Sequence, residues 1–196
     1  MRLNDIGICN MALALAGISD YIQSLTDKTS PQAIRCNQFF LPCVEIVLRS
    51  HPSGWNSAAE VVELAANTSV PTTLYDHAYP LPHDCVRVIS VYGKADAYSP
   101  YDRWRVVGRN IETDLDRIYL KYVKMPEDYH DLDILLADSI AHQIALKLVL
   151  AHIKDKEMYQ LLAIAYERAL NKAMAMDTLE NKEAFAENSP WEDARV

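Results

Sequence analysis

Apolar positions recur at helical spacing toward both ends of this chain and at strand spacing between them. Near the start, Ile6, Cys9, Leu13 and Ala16 share one face while Ile8, Met11 and Leu15 fill the other. Asn4 as N-cap and Gly17 as left-handed stop predict a helix running to about Ala16. A helix apolar nearly all round is buried on two faces, in the middle of a helical body or against a neighbouring subunit. Residues 18–30 are polar and turn-like, and Ser30-Pro31 reads as the cap and first position of a second helix reaching about Arg49. Its Ile34, Phe39, Leu41, Val44, Val47 and Leu48 keep no single face, and Pro42 predicts a kink near Gln38. His51-Pro52-Ser53-Gly54 breaks the helix, and the segment from Trp55 to Leu64 fits either strand or helix by period.

From Val70 to Tyr122 the period falls to two. Val86, Val88 and Val91 interleave with Arg87, Ser90 and Tyr92, Tyr101 to Val107 is aromatic and β-branched, and Ile118, Leu120 and Tyr122 alternate with Tyr119, Lys121 and Val123. Gly108-Arg109-Asn110 supplies a turn, and the pattern predicts a meander of short antiparallel strands. Pro80 and Pro82 keep their segment at a sheet edge, because proline cannot donate to a ladder. Helical spacing returns from about Asp131 to Ile153 and, past an Asp155 cap, from Lys156 to about Glu180. In the last helix Met158, Leu161, Leu162, Ala165, Ala169, Ala173 and Met176 are expected to form the core stripe. The expected fold is therefore α+β: a bundle of about four helices with an inserted small antiparallel β-domain and an extended C-terminal tail. Its parts are an N-terminal helical half (1–54), a β-rich module (55–126), a C-terminal helical half completing the bundle (127–182) and an extension (183–196).

Composition narrows the function classes. A net charge of −8, with Lys and Arg scattered rather than gathered in a stripe, argues against a nucleic-acid gripper. Asp5 interrupts what would be the apolar core of a secretory signal, so export is not expected. The apolar stretch 132–153 contains Asp133, Asp138, His142, Gln143 and Lys147 and reads as a core helix; no membrane is expected. Cys9, Cys36, Cys43 and Cys85 lack metal-ligand spacing and read as reduced, buried small hydrophobes.

Candidate chemistry is sparse. His83-Asp84-Cys85 suggests a nucleophile pair, the basis of an alternative reading as a small hydrolase or ligand-binding enzyme. Neighbours on a strand point to opposite faces, however, and the blander reading is a turn in which Asp84 ties the backbone before the strand begins. His142 and His152 stand about 15 Å apart along one helix and cannot share a metal ion. The acidic clusters at 112–116 and 127–128 lack the turn glycine and oxygen spacing of a calcium loop. There is no phosphate loop, dinucleotide fingerprint or HExxH, so no cofactor and no metal are expected and the weight falls on a scaffold, with a cytosolic regulator that binds a partner helix in a groove as a third reading.

The runs Tyr79-Pro80-Leu81-Pro82-His83-Asp84-Cys85-Val86-Arg87-Val88, Arg105-Val106-Val107-Gly108-Arg109-Asn110-Ile111-Glu112-Thr113-Asp114 and Ile118-Tyr119-Leu120-Lys121-Tyr122-Val123 resemble, in order and spacing, the head-to-tail adaptors of short-tailed bacteriophages, the tail-tubular-A-like or packaged-DNA stabilisation family. So do the opening Leu-Asn-Asp helix, Gly54-Trp55-Asn56 and the terminal Trp-x-x-Ala-Arg at 191–195. The chain departs at Ser57, where the family tends to carry an aromatic. The resemblance implies a non-enzymatic virion protein, made in the host cytoplasm, whose twelve copies form a ring beneath the portal protein. That ring would extend the DNA channel without reading sequence and offer a platform to the tail nozzle protein. It implies portal binding by the C-terminal tail, with Trp191 as apolar anchor and Arg195 as charged partner, and a tail-facing β-module presenting Asp84, Arg87, Arg109 and Asn110. Acidic residues turned toward the channel would repel passing phosphates.

Overall fold

The computed structural model describes residues 3–67, 72, 74–94, 100–153 and 155–180. Asn4 caps the first helix, α1 (Asp5–Leu15), accepting the Gly7 N–H at 2.8 Å. The helix ends where Gly17 takes φ +72° and the Ile18 N–H turns back to the Leu13 carbonyl, a stop that a side chain at Gly17 would strain. Ser30 caps α2 (Pro31–Ser50) through the Ala33 N–H, and α2 continues through Pro42 as one element. A 3-10 turn at Asn56–Ala58 leads into β1 (Ala59–Leu64). Then come β2 (His77–Pro80), β3 (Cys85–Tyr92), β4 (Trp104–Val107), β5 (Asn110–Thr113) and β6 (Ile118–Lys124). The chain returns to helix in α3 (Ile134–Leu148), which widens into a π-helical turn at Val149–Ile153, and ends in α4 (Lys156–Glu180). Four helices and two small antiparallel sheets make the fold α+β, as expected.

The strands do not form a meander. They make two three-stranded sheets, ordered β1-β6-β3 and β2-β5-β4, and of the paired strands only β4 and β5 are consecutive. β6 is the central strand of the first sheet: Ala59 to Leu64 run antiparallel against Val123 to Ile118, and β3 lies on the other side with register shifts between Cys85 and Arg87 and between Val88 and Ser90. β5 is central in the second sheet, with β2 at one edge, where Pro80 costs no ladder bond on the solvent side. The ambiguous segment after Trp55 is thus a strand whose partner lies some sixty residues on. Period alone carries no information about that partner.

α3 lies at the centre of the helical body. Leu136, Ile140, Ala141, Ile144, Ala145 and Leu148 are fully or almost fully buried against Ile8, Ala12 and Leu13 of α1 and Cys36, Phe40, Val44 and Val47 of α2, within one continuous core. The stretch Ile134–Ala151 is long and apolar enough to cross a membrane by length and composition, and here it is mostly enclosed by the other helices. α4 covers this core with a face that overlaps the expected stripe in part. Met158, Leu162 and Ala173 of that stripe pack inward together with Tyr166, Leu170 and Met174, whereas Leu161, at 70 % exposure, and Met176 face outward. The seam is rotated by roughly 80° from the expected stripe, a little less than one residue of helix. Two aromatic rings, Tyr159 and Tyr166, carry it, because they bury more area than the alanines at 165 and 169.

A second, smaller core of Tyr79, Val91, Ile111, Ile118, Leu120 and Tyr122 lies between the two sheets. Trp55 joins the regions: it is buried and its indole N–H donates to the Val47 carbonyl at 3.0 Å. Gly54, at φ +78°, lets the chain pass Ile89, whose Cδ1 would stand 2.3 Å from a β-carbon there.

Candidate functional site

Between the end of α2 and the facing ends of both sheets is a cleft of about 410 Å³. Glu45 and Arg49 of α2, Leu81, Cys85 to Val88 of β3, Trp104 and Val106 of β4, and Gly108-Arg109 of the hairpin line it. Three guanidiniums enter its wall, and each is fixed by backbone carbonyls. Arg49 donates to the Val86 carbonyl and stands 3.6 Å from Glu45. Arg87 donates to the carbonyls of Pro52 and of His51, which also accepts the Gly54 N–H, just past the end of α2, and the guanidinium charge there complements the negative end of the helix. Arg109 reaches from the hairpin to the carbonyls of Pro82 and His83. Neither Arg87 nor Arg109 forms an ion pair with a carboxylate among the described residues. The cleft therefore holds excess positive charge in an acidic chain.

The structure brings Arg87 and Arg109 together at this cleft, with Asp84 beside it. The Asp84 side chain does not close the local turn. It accepts the Tyr122 hydroxyl at 3.3 Å across the sheet, while its carbonyl accepts the Met125 N–H. Burial, reinforced by the Asp84 carboxylate, pushes the Tyr122 phenol up, so the hydroxyl stays a donor. Asn110 opens β5 opposite Val107 and Pro80. Trp191 and Arg195 lie outside the described residues. His83 is exposed at the turn, and burial pushes the Cys85 thiol up against the opposing pull of Arg109 and Arg49. A thiol shifted that way is a poor nucleophile. Cys9 and Cys36 meet in the core, where their mutual contact and burial hold the Cys9 thiol protonated, and burial raises Cys43 to about 11. Among the described residues no three His, Cys, Asp or Glu side chains gather to hold a metal ion.

Behind the cleft sits a polar junction that the sequence reading missed. The carboxylate of Asp177, in the last turns of α4, accepts the Asn56 N–H at 2.9 Å, and its carbonyl accepts the Asn56 side chain at 2.8 Å. His51, stacked edge-on against Trp55, accepts the Ser53 N–H at Nδ1, which assigns the proton of the neutral ring to Nε2, 3.6 Å from Asp177 Oδ2. Both atoms are buried without a hydrogen-bond partner. Burial raises the Asp177 carboxyl, with the Asn56 N–H and His51 opposing. The available signal was an acidic residue four positions past Ala173 on the buried side of α4, but it becomes legible only once the correct face of α4 is known. Arg49 was legible as a cation in the last turn of a helix.

This arrangement can bind an anionic segment with an apolar part. It offers paired cationic donors over a floor of Leu81, Val88, Trp104 and Val106. No family model matches the chain, and no curated protein is significantly similar to it.

Proposed function

We propose that this chain is the subunit of a head-to-tail adaptor ring of a short-tailed bacteriophage, docking beneath the portal protein and carrying the tail nozzle. The resemblance of the three β-runs and of Gly54-Trp55-Asn56 motivates the reading, and one structural observation supports it: the helical body carries two different apolar stripes on its outside. On α4, Leu161, Ile164, Met176 and Leu179 fall within one outward arc that also holds Arg168 and Lys172. On α2, Ile34 and Leu41 line up with Gln38 and Glu45. Exposed large side chains repeated along a helix mark a contact surface rather than random scatter. Two unlike patches pair head to tail, and head-to-tail contacts close into rings when the rotation per subunit allows.

In this reading the helical bodies pack side by side, the β-part faces the tail, and the segment with Trp191 and Arg195 reaches the portal. Arg109 and Asp84 brace the β-part from within and Arg87 ties it to the end of α2, so their contribution to nozzle docking is to fix the hairpin that presents Asn110. Mixing the purified chain with its portal protein and imaging the product tests this directly. A ring on the portal, abolished by Leu161→Glu with Leu179→Glu, is expected; no complex at any stoichiometry sinks the proposal. Truncation after Asn188 tests the tail separately, since normal docking would remove Trp191 and Arg195 from it.

A further inference from the structure

We propose that the cleft between α2 and the two sheets binds an extended acidic peptide segment of a partner protein, which adds to the open edge of β4 as a further strand. Its carboxylates meet Arg109, Arg87 and Arg49, and its apolar side chains meet Trp104 and Val106.

Two observations carry this. The first is the edge. β3 and β4 are edge strands of different sheets, and both line the cleft. On β3 the carbonyls of Val86 and Val91 are already taken, by Arg49 and by the Tyr101 N–H. β4 differs. Val107 and Asn110 flank the two-residue turn at Gly108-Arg109 and form the hydrogen-bonded pair that closes the hairpin, so the N–H and C=O of Trp104 and Val106 point away from β5. Among the described residues no backbone hydrogen bond reaches them. Such an edge is a ready template for another strand, and proteins usually blunt it with proline or an outward charge. β4 has no proline, its one charge, Arg105, is bonded to Glu112 within the sheet, and Val106 is 45 % exposed. The second observation is charge. Three guanidiniums stand in the cleft wall against one carboxylate, Glu45, and Arg109 is exposed. Each guanidinium is fixed by a carbonyl, so the donors are in place before a ligand arrives and receive a carboxylate at small entropic cost. A peptide fits both observations, and a nucleic acid fits only the second. Phosphates accept hydrogen bonds but cannot donate to the Trp104 and Val106 carbonyls, and a polyanion meets a chain of net charge −8. A cleft of about 410 Å³ suits a few residues of peptide rather than a folded domain. Strand addition draws affinity from main-chain bonds and selectivity from the side chains beside them.

Cleft and edge belong to the subunit by itself, so binding does not depend on the adaptor reading. The probe is a short, fluorescently labelled peptide of alternating valine and glutamate, titrated with the full chain and read by anisotropy. It should bind at least about tenfold more tightly than a valine-lysine peptide, the size expected when two or three exposed ion pairs are exchanged for repulsions. Rising salt should weaken the glutamate peptide. Methylating its glutamate nitrogens, or its valine nitrogens, blocks one edge of the added strand at a time, and at least one of the two methylated peptides should bind about tenfold more weakly. Arg109→Glu should narrow the gap between the glutamate and lysine peptides to about twofold or less. Because that substitution also removes a brace from the hairpin, the lysine and methylated peptides test the unaltered chain. Equal binding of the glutamate and lysine peptides, unchanged binding of both methylated peptides, or no saturable binding up to about 1 mM would each overturn the proposal. So would a single-stranded oligothymidylate that displaces the labelled peptide at lower concentration than the unlabelled peptide does, which would assign the arginines to phosphate.

Discussion

The helical body and the β-part are held together by different means. Around α3 the body has a continuous apolar core in which Leu136, Ile140, Ile144 and Leu148 are fully buried. The β-part has a small core of six buried apolar residues between two sheets and relies on cross-links: Arg105 to Glu112, Arg103 to Asp114, the Tyr79 hydroxyl to the Leu115 carbonyl, Arg109 to the Pro82 carbonyl, and Arg87 to carbonyls at the end of α2. Non-directional burial tolerates small shifts, whereas directional bonds fix the place of a hairpin. A module built to present a surface gains from the second, and a body built to persist gains from the first.

The sharpest way to break the contrast is a cavity in the body. Leu136→Ala should cost about 2–5 kcal/mol and remove helical and β structure together, because both regions share Trp55 and Val123 at their boundary. Loss of the helical signal at lower urea with an unchanged β-part would contradict that coupling. A brace removed from the β-part should act otherwise. Arg87→Met leaves the Pro52 carbonyl without its donor and the His51 carbonyl with only the Gly54 N–H, a cost of about 1–3 kcal/mol that falls on the junction. Hydrogen exchange should quicken in β3 and at the end of α2 while α1 and α3 stay protected; uniform acceleration would show that the two regions unfold only as one.

The same division explains what could be read before the structure. Caps and stops were legible at Asn4, Gly17, Ser30 and Asp155 because each acts within a few residues of itself. The α+β class followed from the change of period. What stayed hidden was long-range: β1 finding β6, β2 finding β5, and the choice of face on α4, where Tyr159 and Tyr166 outweighed a stripe of alanines. For the candidate site, Arg87 and Arg109 were picked out by resemblance as surface residues, and the structure gives them internal bonds as well. The cleft they line depends on strand pairing that no local pattern encodes. Asp177 and His51 were hidden for the same reason, being 126 positions apart in the chain and adjacent only after folding.

The smallest effect lies at that junction, where the two regions and the end of α4 meet. Burial raises the Asp177 carboxyl above its ordinary value of 3.8, so between that value and the raised one the folded chain binds more protons than the unfolded chain. Stability attributable to this group is therefore greatest at and below the ordinary value and declines as pH climbs through the folded one, the reverse of a salt-bridged carboxylate. Asp177→Asn keeps an oxygen for the Asn56 N–H and cannot titrate. It should change stability at neutral pH by less than about 1 kcal/mol while removing this pH-dependent component. Urea midpoints for both chains from about pH 4 to 8 check it: a parent chain that loses stability relative to Asp177→Asn as pH rises bears out a carboxyl raised by burial, parallel curves would mean that its affinity for the proton does not change on folding, and a parent that gains relative stability with rising pH would mean a carboxylate held as an ion pair.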